Sequence, residues 1–514
     1  MLLIHPPIAK PGEPPAGITR LAGELRGHGL PCTLLDAGLE GLLFLLAAPV
    51  SATDNWSRRA SRNVAANLAA LRSPGLYCNP DRYQRAVADV NRVVELTGKP
   101  HLLLNLANYQ DKVLSPIKSA DLLKAAVHPA GNIFYPYFSR RLTELIEETQ
   151  PAMAGFSLNY LSQALCTFAM IGFIKQHYPR LPVVLGGGLI TSWLSNPNWR
   201  NPFAGLVDHL VAGPGEEPLV ALLGGSLPPQ YHGPDFTGLP LADYLAPGFI
   251  LPYAASSGCY WNKCSFCPEK AEGNPYSALP PEQVLDDIKQ LTTQTKPVLL
   301  HLLDNAVSPA LMRALADSPP GVNWYGFARV SPLLADHDFC RALRRSGCLM
   351  LKLGLESGDQ GVLDAMDKGI SLAMVSEALA ALKQAGIATY VYLLFGTPSE
   401  TLTQARRTLD FAVAHHEAIT FLNLAVFNMP VCGPDAHNLR TSDFYEGNLS
   451  LYTDFVHPLG WDRSKVRRFL DREFKRHPAI AAIIRRDPHL FTSNHAPFFN
   501  VPTFQRSTVQ TFKR

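Results

Sequence analysis

"SSGCYWNKCSFCPEK", residues 256–270, places three cysteines within nine positions. Four residues separate Cys259 from Cys264, and two separate Cys264 from Cys267. Thiolates are soft ligands that suit zinc and iron–sulfur clusters. A structural zinc ion closes its shell with four protein ligands. An iron–sulfur cube ordinarily takes four cysteines. Three are one short of either. The nearest others, Cys340 and Cys348, lie over seventy residues downstream in a helix–strand segment. The loop therefore reads as a cube left open at one corner, with a zinc site or a chance cluster as the alternatives.

Working outward, the loop follows an apolar run, "YAASSG", and opens a regular series. The strands are "PVLLHLLD", "VNWYGFARV", "LMLKLGLES", "ATYVYLLFG" and "ITFLNLAVF". Helical periodicity fills the gaps between them, as in "PPEQVLDDIKQLTTQ" and "AMVSEALAALKQAG". Six βα units with right-handed crossovers close naturally into a barrel or partial barrel. Functional groups in such barrels gather at the C-terminal ends of the strands. The cysteine loop lies at that end of the first strand.

Motif and placement together resemble the radical S-adenosylmethionine (SAM) superfamily. The resemblance covers roughly residues 250 to 430. It implies that Cys259, Cys264 and Cys267 hold a 4Fe-4S cluster whose fourth iron chelates SAM. Reductive cleavage then yields a 5′-deoxyadenosyl radical. The family's first gap most often has three residues, whereas this one has four, Tyr260 to Lys263. Phe266 matches the family's aromatic beside the adenine. Asp304 and Asn305, in "HLLDNAVSP", match the position that meets the SAM amino group. Glu356 and Ser357, in "LKLGLESGDQG", would face polar groups of the cofactor, and Arg329 its carboxylate. Gly396 opens the turn "GTP" that lies against adenine. Cys432, in "NMPVCGP", follows the sixth strand and is a candidate hydrogen donor or methyl acceptor, with an ordinary loop residue as the other reading.

The first third also alternates strand and helix. Its strands are "MLLIHPP", "PCTLLDA", "AMAGFSL", "PVVLGGG" and "VDHLVAG", which make a doubly wound parallel sheet. This series resembles the cobalamin-binding domain of one class of the superfamily. Ser157 begins the serine motif, and twenty-six residues separate Asn159 from Gly186, which with Gly187 opens the glycine motif. Serine and bare glycines let a nucleotide tail lie against strand ends. The family's DxHxxG is missing; "IHPPIAKPGEPPAG" offers only His5. A scaffold without a corrin remains the alternative. The expected domains are 1–225 (cobalamin-binding type, with a helical insertion at about 45–130), a linker at 226–250, the partial barrel at 251–434, and a small mostly helical substrate-capping region at 435–514. Within the last, His457, Trp461, His489, His495 and Phe499 are candidate pocket residues.

Bulk properties agree with a buried globular chain. Hydrophobic residues make up 47% and charged residues 17% of 514, which excludes a disordered protein. The net charge of +3 does not argue for nucleic acid. The run "LEGLLFLLAAPV" is too short for a bilayer, which needs about 20 apolar residues. An odd count of nine cysteines is a poor disulfide framework and points to a reducing, cytoplasmic setting. The resemblance implies a small-molecule substrate, an electron donor such as flavodoxin or ferredoxin, and no membrane partner. Methyl transfer with cobalamin is the leading reaction. Cyclisation, ring contraction or C–S bond formation stays open beside it. So does tRNA modification, suggested by the basic helix around Arg467 and Arg468.

Overall fold

Five apolar runs form the first sheet: β1 (Leu2–His5), β2 (Thr33–Asp36), β3 (Ala154–Ser157), β4 (Val183–Gly186) and β5 (His209–Leu210). The computed structural model describes residues 1–98, 100–225, 231–488 and 494–500. The strands pair in parallel in the order β2-β1-β3-β4-β5. β1 and β3 are buried along their whole length, as a sheet covered on both faces demands. Strand order reverses between β1 and β3, and ligands of such sheets sit outside the carboxyl ends at that point. Helix α1 (Ala16–Gly27) lays Ile18, Ala22 and Leu25 onto Met1, Leu3 and Val184.

The insertion is helical as expected, with helices Asn55–Leu71 and Pro80–Thr97. Asp54 and Asn79 cap them by accepting the Ser57 and Arg82 amides. Asp89 joins them, accepting from Trp56 and Arg59. A hairpin, Leu102–Leu104 with Tyr109–Asp111, and a helix, Ser119–Val127, complete it.

The chain divides into two units, one built on Met1–Ile250 and one on Leu251–Phe444 with Tyr452–Pro488. Two expected boundaries therefore change. The stretch read as a linker is not a free tether over 231–250. Phe236, Leu239, Tyr244 and Leu245 are buried there. Tyr244 donates to Asp36 at 2.7 Å, and the Asp235 amide to the Thr19 carbonyl at 3.0 Å. The apolar residues between its prolines give it a surface to bury. The C-terminal region is likewise not one body. Tyr445–Leu451 belongs to the first unit, where Asn448 bonds Ser119 and the Leu449 carbonyl accepts from Trp193.

The second unit carries β6 (Ile250–Tyr253), β7 (Leu299–Leu302), β8 (Trp324–Ala328), β9 (Cys348–Glu356), β10 (Ala388–Phe395) and β11 (Phe421–Val426). They form one six-stranded sheet in chain order, parallel from β7 to β11. This is the (βα)6 partial barrel expected. Its helix starts are written in the sequence: Ser308, Asp336, Asp359, Ser371 and Thr401 each cap the helix that follows. Beyond the barrel a small antiparallel sheet (Met429–Pro430, Thr441–Asp443, Tyr452–Phe455) precedes helices Arg463–Arg472 and Pro478–Arg486. Part of the basic charge there is paired locally, Lys465 with Asp462 and Lys475 with Asp471. No helix among the described residues is long and apolar enough to cross a membrane. His489 lies outside the described residues.

Candidate functional site

The cysteine loop leaves β6 and is closed at its base by pairing of Ser256–Ser257 with Ser277–Ala278. Gly258 makes that closure possible. Its φ is +69°, and a Cβ would come within 2.4 Å of the Pro275 carbonyl oxygen. The three thiols are partly buried and free of disulfides. Burial pushes the Cys264 and Cys267 thiols up. Lys368 and Arg329 oppose this at Cys264, and the Lys270 and Glu269 amides oppose it at Cys267. Those same cations and amides favour an anionic cluster.

The widened gap has a structural use. Asn262 takes a left-handed conformation (φ 43°), which asparagine tolerates. Trp261 donates to the Asp367 carbonyl at 3.0 Å. Its ring lies 3.8 Å from the Arg329 guanidinium, a stacked cation–π contact. A Cβ on Gly369 would fall 2.2 Å from that ring. The Ser265 amide donates to the Met366 carbonyl at 3.0 Å. The loop is therefore strapped to residues 366–369, the turn after helix Gln360–Ala365.

Around it stand the polar residues read from the sequence. Arg329 follows β8, is buried, and donates to the Lys368 carbonyl. Glu356 ends β9 at a break in register, with φ +69°. It pairs with Lys368 at 2.8 Å, and Lys368 lies 5.6 Å from the Phe266 ring. Asp304 accepts from the Ala255 amide at 3.2 Å and from the Ser256 hydroxyl. Asn305 donates to the Gly258 carbonyl at 3.2 Å. Both therefore hold the entrance of the cysteine loop. Ser357 is fully buried and not gathered with this set. Its hydroxyl bonds Thr408 at 3.2 Å and accepts the Asp359 amide at 3.1 Å. Cys432 is partly buried, with Glu272 near enough to help burial raise its thiol.

The turn after β10 is held from below by Glu400, which the sequence reading did not single out, together with His457 and Trp461. Gly396 has φ +82° and donates to Glu400 at 2.6 Å. Trp461 donates to the same Glu400 oxygen at 2.9 Å. Burial pushes the Glu400 carboxyl up to about 7. His457 accepts the Leu459 and Trp461 amides through Nδ1 and donates through Nε2 to the Thr397 carbonyl at 2.9 Å. That pattern fixes a neutral imidazole, and burial lowers its pKa in agreement. His457 and Trp461 are thus turn supports. His495 packs on Tyr390 and Phe421 and pairs with Asp487, and Phe499 packs on Phe421.

In the first unit a cavity of about 220 Å³ opens at the carboxyl ends of β3 and β4. Met1, Leu3, Leu21, Val184 and Leu219 make its apolar wall; Ser157, Asn159, Gly186 and Gly187 line it as well. Asn159 clips the serine and glycine motifs together. Its Nδ2 donates to Ser157 Oγ at 3.1 Å, and its Oδ1 accepts the Gly188 amide at 2.9 Å. Gly187 has φ +105°, and a Cβ would sit 2.5 Å from the Leu158 carbonyl oxygen. Gly17 approaches Ser157 so closely that a Cβ would stand 3.3 Å from its hydroxyl. The volume is below the usual range for a drug-sized ligand. It suits a flat heterocycle such as the base of a nucleotide tail, and the bare glycines admit it. His5 is buried away from this wall, 3.2 Å from the Gln163 amide nitrogen.

Residues 253–412 match the Radical SAM superfamily. The anaerobic magnesium-protoporphyrin IX monomethyl ester cyclase of Rubrivivax gelatinosus is 28% identical over 163 residues, 30% of this chain and 29% of that protein. The tryptophan 2-C-methyltransferase of Streptomyces laurentii is 26% identical over 211 residues, 37% of this chain and 35% of that protein. The chain thus spans about a third of the length of these curated relatives. The radical SAM methyltransferase TsrM from Kitasatospora setae, solved with cobalamin and a 4Fe-4S cluster, superposes with a TM-score of 0.53 at 17% identity. That match covers 95% of this chain and 91% of the other, and it shows the same fold from the doubly wound sheet through the partial barrel. Cysteine loop, six-stranded sheet and family match agree on a Radical SAM superfamily domain at residues 253–412.

Proposed function

We propose that this chain is a cobalamin-dependent radical SAM methyltransferase of a small molecule. The observation that carries the proposal is the glycine-walled cavity lined by β1, β3 and β4 of the first sheet, in a chain that also holds the three-cysteine loop. When bound, the cluster and SAM supply a 5′-deoxyadenosyl radical, and cobalamin supplies a methyl carrier.

The chain's own residues position and shield these groups. Cys259, Cys264 and Cys267 hold the cluster. Arg329 and the Glu356–Lys368 pair present charge of both signs to the amino acid end of SAM. Phe266 and the Gly396 backbone would hold its adenine. Asp304 and Asn305 act one step back, by fixing the loop entrance. The cavity wall and Ser157 would receive the nucleotide tail of cobalamin. A small reducing protein such as flavodoxin or ferredoxin supplies the electron.

The match to a cyclase favours a second reading, radical chemistry without methyl transfer. Anaerobic reconstitution with iron, sulfide and cobalamin tests both. The methyltransferase predicts bound iron, a corrin spectrum that survives desalting, and 5′-deoxyadenosine under reduction. Labelled methyl from SAM should reach the corrin. A corrin lost on desalting refutes the leading reading; deoxyadenosine with no corrin favours the second.

A further inference from the structure

We propose that Glu24, His28 and His232 form a binding site for a divalent transition ion of the zinc class, distinct from the cysteine loop. In short, two turns of α1 and one residue of the 231–250 segment bring two imidazoles and a carboxylate together.

Glu24 and His28 are four residues apart on α1 and its C-cap, so they share a face. His28 Nε2 lies 3.2 Å from Glu24 Oε1, and His232 Nδ1 lies 3.8 Å from the same oxygen. The three ligand atoms all fall within 4.8 Å of one another. A tetrahedral ion with bonds of about 2.0–2.1 Å spaces its donors about 3.3 Å apart. Of the three edges, one already has that length at 3.2 Å, the second is 3.8 Å, and the third, between the two imidazoles, is within 4.8 Å.

The surroundings prepare these atoms. Glu24 is 2% exposed. Its Oε2 accepts the His232 amide at 3.3 Å and faces Arg20 at 4.0 Å, which leaves Oε1 turned to the imidazoles. Arg20 also donates to the His232 carbonyl, and its charge is shared with Glu216 at 3.1 Å. Outer contacts of this kind orient metal ligands. His232 Nδ1 is buried and has no hydrogen-bond partner among the described residues. The helix also makes room for it. A Cβ on Gly27 would lie 2.2 Å from the His232 ring, and one on Gly23 would lie 1.9 Å from the Gly233 oxygen. Gly23 and Gly27 thus form a slot, and Glu24 and His28 stand beside it. Two imidazoles and a carboxylate suit zinc and its neighbours better than magnesium or calcium. Three protein donors leave the fourth position for water. The ion would fasten the 231–237 segment to α1.

The test uses full-length protein with its iron cluster in place, equilibrated with Zn²⁺ and then passed into metal-free buffer. Zinc and iron are counted together by mass spectrometry. Wild type should keep about one zinc per chain. His232→Ala and His28→Ala should lose it at least tenfold with iron unchanged. His232→Cys should restore it, because a thiolate is a better zinc ligand. Zn²⁺ should raise the melting temperature of wild type and of the His232→Cys variant, but not that of His232→Gln, which keeps the bulk of the side chain. The triple variant Cys259→Ala/Cys264→Ala/Cys267→Ala should retain the zinc. Equal zinc in wild type and His232→Gln overturns the proposal, and so does its loss in the triple cysteine variant.

Discussion

Replacing Glu400 by glutamine isolates one buried charge beneath the turn after β10. Glu400 is fully buried and accepts the Gly396 and Trp461 N–H groups on one oxygen. Its other oxygen has no hydrogen-bond partner among the described residues. Two donors do not offset the loss of water, so its pKa rises from 4.5 to about 7. The folded state therefore binds the proton more tightly than the unfolded state, and stability falls as pH rises from 4.5 to 7. At 1.36 kcal/mol per unit, the penalty is under about 1 kcal/mol at pH 5 and about 3 kcal/mol by pH 8. Glutamine keeps an oxygen for both N–H donors and carries no charge. The stability of Glu400→Gln relative to wild type should thus climb by about 2 kcal/mol from pH 5 to pH 8, most of it below pH 7. Urea denaturation under argon at pH 5, 6, 7 and 8 measures it. A difference flat to within about 0.5 kcal/mol across that range refutes the reasoning.

Three further outcomes are expected. Cys264→Ala should abolish iron retention after reconstitution while leaving the corrin spectrum, since the cavity residues lie in the other unit; iron counts and absorbance check this. Gly187→Ala forces a Cβ into the Leu158 carbonyl at a left-handed position, and should cost about 2–3 kcal/mol and lower corrin binding with iron unchanged. Lys368→Met leaves the Glu356 carboxylate, 12% exposed, without its cation. It should destabilise the second unit by about 3 kcal/mol and weaken SAM binding, as read by denaturation and isothermal titration.

The strands of both sheets were legible because each is a short apolar run between turn residues, and the helix starts because Ser308, Ser371 and Thr401 announce them. The cysteine loop was legible for the same local reason: chemistry and spacing sit within nine residues. The linker and C-terminal boundaries were not. Proline density marks a segment that cannot be regular, but not whether Phe236 and Tyr244 find something to bury against.

What the sequence by itself determined is the order of the elements and the kind of chemistry at the strand ends. Three thiols in one loop, a serine after β3 and paired glycines after β4 carry that meaning wherever the chain goes. Tertiary structure alone decided which of these residues stand together and which side chains support their loops. Trp261 meets Asp367 across 106 positions, Trp461 meets Glu400 across 61, and His232 meets Glu24 across 208. No periodicity encodes such pairs. They exist because parallel strands bring distant loops to one end of a sheet, and because bare glycines let those loops close to contact.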